Sequence, residues 1–465
     1  MKSIKLFALL AMSAMLSCSG PEKPNIVYIM ADDLGYGDIG VNGQEIITTP
    51  NIDRMASEGL MFSQHYSGST VCAPSRCCLM TGMHTGHAAV RGNRPMRPEG
   101  QVPMPEGTTT VVGLLKDAGY VTGMFGKWGL GGPGSVTDPM NTGFDEFYGY
   151  NCQRHAHRYY TPYLWHNNER DSMPENLDNN FETYSQDRIM EHCLQFIRDN
   201  KDKTFFLYAP FTIPHAELQV PEEDRANYMG IFEETVYKGG GSYRYQEYPR
   251  ATFAGMVSRL DRDVGKMLDL IKELDLEKET IVFFTSDNGP HHEGGADPEF
   301  FNSNGIFRGI KRDLYEGGIR MPFIAWSPGK IQAGTTNHIA AFWDFLPTAC
   351  ELAGVNAPEG IDGISYAPAV FGKKQNQHNY LYWEFHEQGG KQAIRKGDWK
   401  AIRLNVSREE HPVTELYNLA NDPGEENNVA DKYPEIVQEM DDIFATARTS
   451  DPDWPLLVKE KQSER

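Results

Sequence analysis

Residues 72–76, with the sequence Cys-Ala-Pro-Ser-Arg, place a thiol and a guanidinium one helical turn apart. Pro74 fixes its own φ and has no N–H to lose, so it can open a helix at this point. We therefore expect a loop that leads into a short helix, with Cys72 just before the helix N-terminus. The unpaired N–H groups and the dipole of such an end favour negative charge and would activate the thiol. The alternative is a buried, inert cysteine in a turn, which is the common state of a free cysteine.

Two pairs of polar residues follow apolar runs that have the character of buried strands. Asp32 and Asp33 come after residues 25–30, and Asp287 and Asn288 end a later run of the same kind. Adjacent carboxylates at the end of a buried strand need a cation, because buried like charges are costly. Their oxygen atoms suit Ca²⁺ or Mg²⁺ rather than zinc. Helix N-capping is the alternative for either pair alone, but both pairs at one sheet edge favour a metal site.

Predicted strands and helices alternate along the chain up to about residue 370. The predicted strands cover residues 25–30, 120–125, 205–208, 281–284 and 321–326, and the predicted helices cover 49–59, 108–117, 184–198 and 251–274. This alternation predicts an α/β fold with a large, mostly parallel sheet flanked by helices on both faces. Ligands of such sheets bind at the carboxyl ends of the strands. Lys127 and His215 also follow predicted strands, so we expect them beside the two acidic pairs.

The pattern changes after the last of these elements. Residues 380–385 and 392–402 predict short antiparallel strands, and residues 434–447 predict a closing helix. We expect three parts, namely a signal peptide at residues 1–18, an α/β domain at 19–370 and a smaller α+β subdomain with an antiparallel sheet at 371–465.

The chain has 465 residues and a formal net charge of −20, which argues against general binding to nucleic acid. A basic start, an apolar run and small residues make its N-terminus typical of a secretory signal. Cys18 follows that run as the acceptor cysteine of a bacterial lipoprotein does, with simple cleavage nearby as the alternative. We expect an exported protein of a Gram-negative-type bacterium, in the periplasm or tethered to the outer membrane, with no membrane contact besides this lipid anchor. The seven cysteines are dispersed and predict neither a disulfide framework nor a zinc site.

Six motifs in order give the chain a resemblance to a known family, the type I sulfatases. These are the formylglycine-dependent members of the alkaline phosphatase superfamily, and the resemblance covers the whole mature chain. The matching segments are Asp32-Asp33, Cys72-Ala73-Pro74-Ser75-Arg76, Gly126-Lys127-Trp128, Pro214-His215, Asp287-Asn288-Gly289 and Lys311 before Glu316-Gly317-Gly318. The resemblance implies that residues 19–370 form the sulfatase catalytic domain.

The resemblance also implies a reaction and a role for each residue. A maturation enzyme would oxidise Cys72 to formylglycine (3-oxoalanine), whose hydrate attacks sulfur, releases the alcohol and then eliminates sulfate. One Ca²⁺ would be held by Asp32, Asp33, Asp287 and Asn288 and would touch the modified Cys72. The remaining implied roles are orientation of the hydrate by Arg76, neutralisation of the sulfate oxygens by Lys127 and Lys311, and protonation of the leaving group by His215.

One position departs from the family pattern. Gly129 stands where the family usually has a histidine after Gly-Lys-Trp. The histidines that could replace it are His84, His87, His155 and His157. Arg91 and Asn93 are further polar candidates near the pocket, and Trp383 and Glu384 are candidate sugar contacts from the small subdomain.

The predicted substrate is a hexose or N-acetylhexosamine sulfate of an extracellular glycan. Two other functions remain open at this point. One is a phosphatase or phosphodiesterase of the same superfamily, which would use a serine or threonine nucleophile and two zinc ions. The other is a non-catalytic glycan-binding protein in which Cys72 is never modified.

Overall fold

The computed structural model describes residues 23–462. The predicted signal peptide and the candidate lipidation site Cys18 lie outside these residues. Within residues 23–462, no helix is both long and apolar enough to cross a lipid bilayer.

The larger of two sheets contains 11 strands. Its strands are β1 Asn25–Ala31, β2 Leu60–Tyr66, β3 Val121–Lys127, β4 Glu146–Tyr150, β5 Tyr163–His166, β6 Glu169–Ser172, β7 Phe205–Pro210, β8 Thr280–Ser286, β9 Arg320–Met321, β10 Ile324–Trp326 and β11 Gly334–Ala341. The central order β8-β1-β7-β3-β4 is parallel throughout. Antiparallel pairs join β10 to β8 and β5 to β4. The prediction of a large sheet with a parallel core is confirmed.

Helices cover both faces of this sheet. They are α1 Pro50–Glu58, α2 Cys72–Thr81, α3 Val111–Asp117, α4 Ser185–Asp199, α5 Glu222–Ala226, α6 Pro249–Glu273, α7 Glu316–Ile319, α8 Phe345–Ala353 and α9 Ala367–Val370, followed in the C-terminal part by α10 Pro434–Thr446 and α11 Val458–Gln462. Side chains of β1 alternate between two apolar layers, with Ile26 and Tyr28 in one and Val27 and Ile29 in the other. Helices α2, α3 and α8 pack on the first layer, and α1, α4 and α6 pack on the second. Each fully buried aliphatic side chain contributes about 1.5–3 kcal/mol to this packing.

One predicted strand is divided in the structure. Residues 321–326 contribute to two short strands, β9 and β10, of which both pair with β2 and only β10 also pairs with β8. Pro322 lies between them and has no N–H to donate to a ladder. The prediction of a single strand is therefore wrong at this point.

The smaller sheet has four antiparallel strands in the order β12-β13-β14-β15. Its strands are β12 Leu381–Phe385, β13 Lys391–Lys396, β14 Trp399–Leu404 and β15 Thr414–Asn418. Met440 and Phe444 of α10 pack against it. The predicted antiparallel C-terminal sheet is confirmed, and the exact boundary at residue 370 stays a prediction.

A buried lysine links the small sheet to helix α7 of the large domain. Lys400 of β14 lies 2.9 Å from the carboxylates of both Glu316 and Glu425, and none of the three side chains is exposed. Burial acts to raise the pKa of Glu316, but Lys400 and Arg320 hold it below its usual value. The small sheet thus anchors α7 of the large domain.

We expect Lys400→Met to lower the free energy of unfolding by about 3–5 kcal/mol, because it leaves buried Glu425 without a cation and Glu316 with Arg320 alone. Lys432→Met, which removes an exposed lysine, is the matched control and should change it by less than about 0.5 kcal/mol. Urea unfolding of both variants measures the difference. If the two variants have the same free energy of unfolding, the contacts of Lys400 do not stabilise the attachment of the small sheet to α7.

Candidate active site

The two acidic pairs meet because their strands are neighbours. Strands β1 and β8 pair in parallel with Ala31 opposite Ser286, so the residues that follow them lie side by side. Asp33 has a φ of 66°, an unusual left-handed conformation for a residue other than glycine. Its N–H donates to Oδ1 of Asp287 at 3.1 Å. This turn holds the carboxylates of both pairs at one point of the sheet edge.

Cys72 is the first residue of α2, one position later in the helix than the sequence suggested. Its Sγ lies 3.8 Å from Oδ1 of Asp32, and the side chain is buried. Burial raises the pKa of the Cys72 thiol to about 12, although Lys127 and Lys311 act in the opposite direction. Burial therefore opposes the activated thiolate predicted at the helix end and favours the alternative of a buried, inert cysteine for the unmodified residue.

Three cations surround the carboxylates. Arg76, one turn along α2 from Cys72, donates through Nη2 to Asp287 at 2.8 Å and to Asp32 at 3.3 Å. Nζ of Lys127 lies 2.5 Å from Asp32, and Nζ of Lys311 lies 2.7 Å from Asp33.

The six charged groups leave little net charge at the centre of the site. Burial acts to raise the pKa of Asp32 and Asp33, but Lys127 beside Asp32 and Lys311 beside Asp33 hold both carboxyls below their usual values. The pKa of Asp287 is raised to about 6 by burial and by the charge of Asp32.

His215 completes the cluster. Its Nε2 lies 3.4 Å from Oδ2 of Asp33, and the ring is buried. Burial lowers its pKa well below the ordinary histidine value, and Lys311 adds to the effect. The ring of His157 stacks on that of His215 at a centroid distance of 4.9 Å. His157 is thus the auxiliary histidine candidate that the structure brings to the centre.

The donor set fits a calcium ion. Asp32, Asp33 and Asp287 contribute carboxylate oxygens that are fully buried. Oδ1 of Asn288 is a buried oxygen with no hydrogen-bond partner, while Nδ2 of the same residue donates to Asp33 at 2.6 Å. An unpartnered buried oxygen is costly, and a hard cation that prefers oxygen ligands would satisfy it.

Asn93, His84 and His87, the other candidates close to Cys72 in the sequence, lie at different distances from it in the structure. Oδ1 of Asn93 accepts from the N–H of Ala73 at 3.1 Å, so it holds the start of α2. His84 and His87 contact Asp362 beyond the far end of α2, a helix of 10 residues and so about 15 Å long. The structure does not bring these two histidines to Cys72.

The candidate sugar contacts of the small subdomain are buried. Trp383 and Glu384 are fully inaccessible, and Nε1 of Trp383 donates to the carbonyl of Ser67 at 2.9 Å. Glu384 accepts from Arg448 at 2.8 Å and from Arg91 at 3.3 Å. The prediction that they face a sugar is contradicted, because these groups link the C-terminal segment to the large domain.

Two residues at the site were not predicted from the sequence. His291 lies 3.9 Å from Asp33 through Nε2 and 3.1 Å from Glu293 through Nδ1. Burial alone would lower the pKa of His291, but the hydrogen bond to Glu293 and the charge of Asp33 raise it. His291 and Glu293 lie two and four residues after Gly289, in the segment that follows β8. This position in the sequence could have indicated that they belong to the site.

Comparisons with known proteins agree with this geometry. The sulfatase family model matches residues 24–355, and a model for the C-terminal part of N-sulphoglucosamine sulphohydrolase matches residues 305–450. N-acetylgalactosamine-6-sulfatase of Canis lupus familiaris is 31% identical over 85% of this chain and 75% of its own length. Arylsulfatase A of Homo sapiens is 32% identical over 93% of this chain and 89% of its own length.

A solved structure extends the likeness to the fold. The crystal structure of Ps i-CgsB in complex with k-i-k-neocarrahexaose has a TM-score of 0.77 and 30% identity, covering 95% of this chain and 96% of that one. The family match spans most of the chain, and the motif residues converge on one buried cluster. The chain therefore belongs to the sulfatase family, the type I sulfuric ester hydrolases of the alkaline phosphatase superfamily.

Proposed function

We propose that this protein removes sulfate from a hexose or N-acetylhexosamine of an extracellular glycan, after export to the periplasm or the outer membrane. The observation that carries this proposal is the convergence of Cys72, three carboxylates and three cations on one point of the sheet edge. The relatives support the substrate class, since one is named for N-acetylgalactosamine 6-sulfate and a structural neighbour was solved with an oligosaccharide.

In this proposal the site also needs two groups that the amino-acid sequence does not encode, a formylglycine and a calcium ion. Formylglycine, made from Cys72 by a maturation enzyme, would supply a hydroxyl nucleophile for sulfur in its hydrated form. A calcium ion held by Asp32, Asp33, Asp287 and Asn288 would supply Lewis-acid polarisation of the sulfate oxygens. The high pKa of the Cys72 thiol agrees with this, because a neutral buried thiol is a poor nucleophile.

The fixed cations bind and orient the sulfate. Without a metal ion, the charges of Asp32, Asp33 and Asp287 are offset by those of Arg76, Lys127 and Lys311. A divalent cation would therefore leave the pocket positive and suited to an anionic ester. Lys127 and Lys311 would then face the sulfate oxygens in a site that excludes water, where electrostatic stabilisation is strongest.

His215 is the proposed proton donor to the leaving alcohol. Burial and Lys311 disfavour its protonated form before the substrate binds, so this role requires that the anionic sulfate ester, together with Asp33 at 3.4 Å, favours protonation of the ring. For His215→Ala we expect kcat to fall about 10²–10⁴-fold on a sugar sulfate, whose alkoxide needs a proton. On 4-nitrophenyl sulfate, whose phenolate leaves without one, we expect a loss below about tenfold. His292→Ala, which alters an exposed histidine nearby, should leave both rates unchanged. Equal losses on the two substrates would show that His215 has another role.

A panel of defined sulfated monosaccharides and disaccharides tests the proposed function. Sulfate release from at least one hexose or N-acetylhexosamine sulfate is the expected result, with negligible release of phosphate from matched phosphate esters. Faster turnover of the phosphate esters would instead favour the phosphatase alternative. That alternative requires a serine or threonine nucleophile, whereas the residue beside the carboxylates is Cys72.

A further inference from the structure

A second cavity, of about 590 Å³, lies beside the loop that carries His157. Its wall contains four arginines from three separate segments of the chain, and Glu99 is the one acidic residue among the described residues that line it. We call this cavity the arginine pocket, defined by Arg97, Arg154, Arg158 and Arg170. Four arginines against one carboxylate make this pocket locally basic, although the chain as a whole has a net charge of −20.

Glu99 offsets only part of this charge, because its single carboxylate also accepts from neighbouring aromatic side chains and lies near one arginine. It accepts from Nε1 of Trp165 at 2.9 Å and from the hydroxyl of Tyr163 at 2.8 Å. Nδ1 of His155 lies 3.3 Å from it, and Arg170 is 3.7 Å away. At most one of the four arginines therefore has a counter-charge inside the pocket.

The other three arginines have no close acidic partner. Arg97, Arg154 and Arg158 form no ion pair with any residue in the part of the chain that the structure describes. Arg97 and Arg154 are exposed, and Arg158 is half-buried and acts on Glu217 only as a more distant charge. Their guanidinium groups are free for an oxyanion, which arginine binds through two parallel N–H groups.

One arginine is already fixed in place. The guanidinium of Arg170 lies 4.3 Å from the ring centre of Tyr163 and 5.1 Å from that of Trp165. Stacking of this kind restricts the side chain and reduces the entropy lost when it binds a ligand. The aromatic faces beside it also suit the apolar face of a sugar ring.

The arginine pocket and the active site share one loop. His155 lines the pocket, whereas His157, two residues along the same 3-10 turn, stacks on His215. Gln153 of this loop contacts Gln101 at 3.0 Å and lies against Gly129, next to Lys127 and Trp128. One loop therefore separates the pocket from the catalytic cluster.

We propose that the arginine pocket binds a second anionic group, a sulfate or a carboxylate, on the same glycan whose sulfate ester is hydrolysed at Cys72. The proposal rests on the proposed function and narrows its substrate class to glycans with more than one negative charge. Arg97 and Arg154 would contribute most of the selectivity, because they are the exposed arginines without an acidic partner.

The test compares one monosaccharide and two disaccharide substrates in the wild-type protein and in the double variant Arg97→Ala/Arg154→Ala. The monosaccharide is N-acetylgalactosamine 6-sulfate, and the disaccharides carry the same ester plus either a second sulfate or a uronate carboxylate. We expect the wild-type protein to prefer the disaccharides. We expect the variant to lose about tenfold or more of that preference through KM, since a hydrogen bond to a charged group is worth about one decade in affinity. Arg198→Ala, at an exposed arginine of α4, should keep the preference.

The two disaccharides show which anion the pocket selects, and either preference supports it. An unchanged preference in the double variant, or an equal loss on monosaccharide and disaccharides, overturns the proposal. Calorimetric binding of the same disaccharides to Cys72→Ala, with and without the arginine substitutions, separates this result from catalysis. Arginine-dependent binding without turnover in the wild type would reject the proposed function but keep the pocket, whereas binding that does not depend on the arginines rejects the pocket.

Discussion

Cys72→Ala should abolish sulfate release, with a loss of roughly 10⁴-fold or more, because it removes the atom on which the nucleophile is built. The fold should survive. Sγ of Cys72 has one close polar neighbour, Asp32 at 3.8 Å, and removing a buried sulfur costs about 1 kcal/mol of packing. Sulfate release and the thermal unfolding midpoint of the same preparation measure the two effects.

Cys350→Ala is the matched control, since Cys350 is also buried but lies in α8, away from the carboxylates. It should retain turnover. Mass spectrometry of the peptide that contains Cys72, from protein made in its native host, completes the experiment. A peptide that keeps its thiol would favour the glycan-binding alternative, and sulfate release by Cys72→Ala would refute the proposed mechanism outright.

Removal of calcium should lower sulfate release about 10³-fold or more and should be reversed by added Ca²⁺, because electrostatic stabilisation by a metal is worth several kcal/mol. Binding to the folded state should also stabilise the protein by about 2.7 kcal/mol when the ion is at 100 times its Kd. A calcium-dependent rise in the unfolding midpoint gives a measurement independent of activity.

Asn288→Ala should shift this dependence to higher calcium concentration, because it deletes the buried Oδ1 that has no other partner. We expect the calcium affinity to fall at least about 10–100-fold, since losing even a residue that only orients a metal ligand costs this much. Asn421→Ala, at an exposed surface turn, should leave the affinity unchanged. If the unfolding midpoint of the wild type does not respond to calcium, the four oxygen donors do not form a calcium site.

The strand-end residues were predictable because topology alone brings them together. A buried parallel strand has a clear apolar signature, and the carboxyl ends of adjacent strands share one edge. The sequences of β1 and β8 were therefore enough to place Asp32, Asp33, Asp287 and Asn288 beside one another. The order of the motifs then added Cys72 and the cations.

The elements and residues that could not be placed from the sequence are those whose positions depend on side-chain packing. Strands β2 and β11 are only partly buried, so their mixed polar composition gave no continuous apolar run. Tryptophan is a residue type that often contacts sugar rings, and only the burial of Trp383 shows that it belongs to the core. His157 could be selected from four candidate histidines only when its ring was seen to stack on His215.

The links between the small sheet and the Lys311 segment have a consequence for how this enzyme can be divided or recombined. Lys391 of β13 donates to the carbonyl of Arg312, the residue after Lys311, and Lys400 of β14 holds Glu316 a few residues further on. The position of Lys311, the lysine proposed to bind sulfate, is thus fixed by strands that begin about 80 residues later in the chain. A chimera that exchanges only the last hundred or so residues for those of a relative would replace the support of Lys311 along with the surface. A working chimera therefore needs the C-terminal sheet and the Lys311 segment from the same parent.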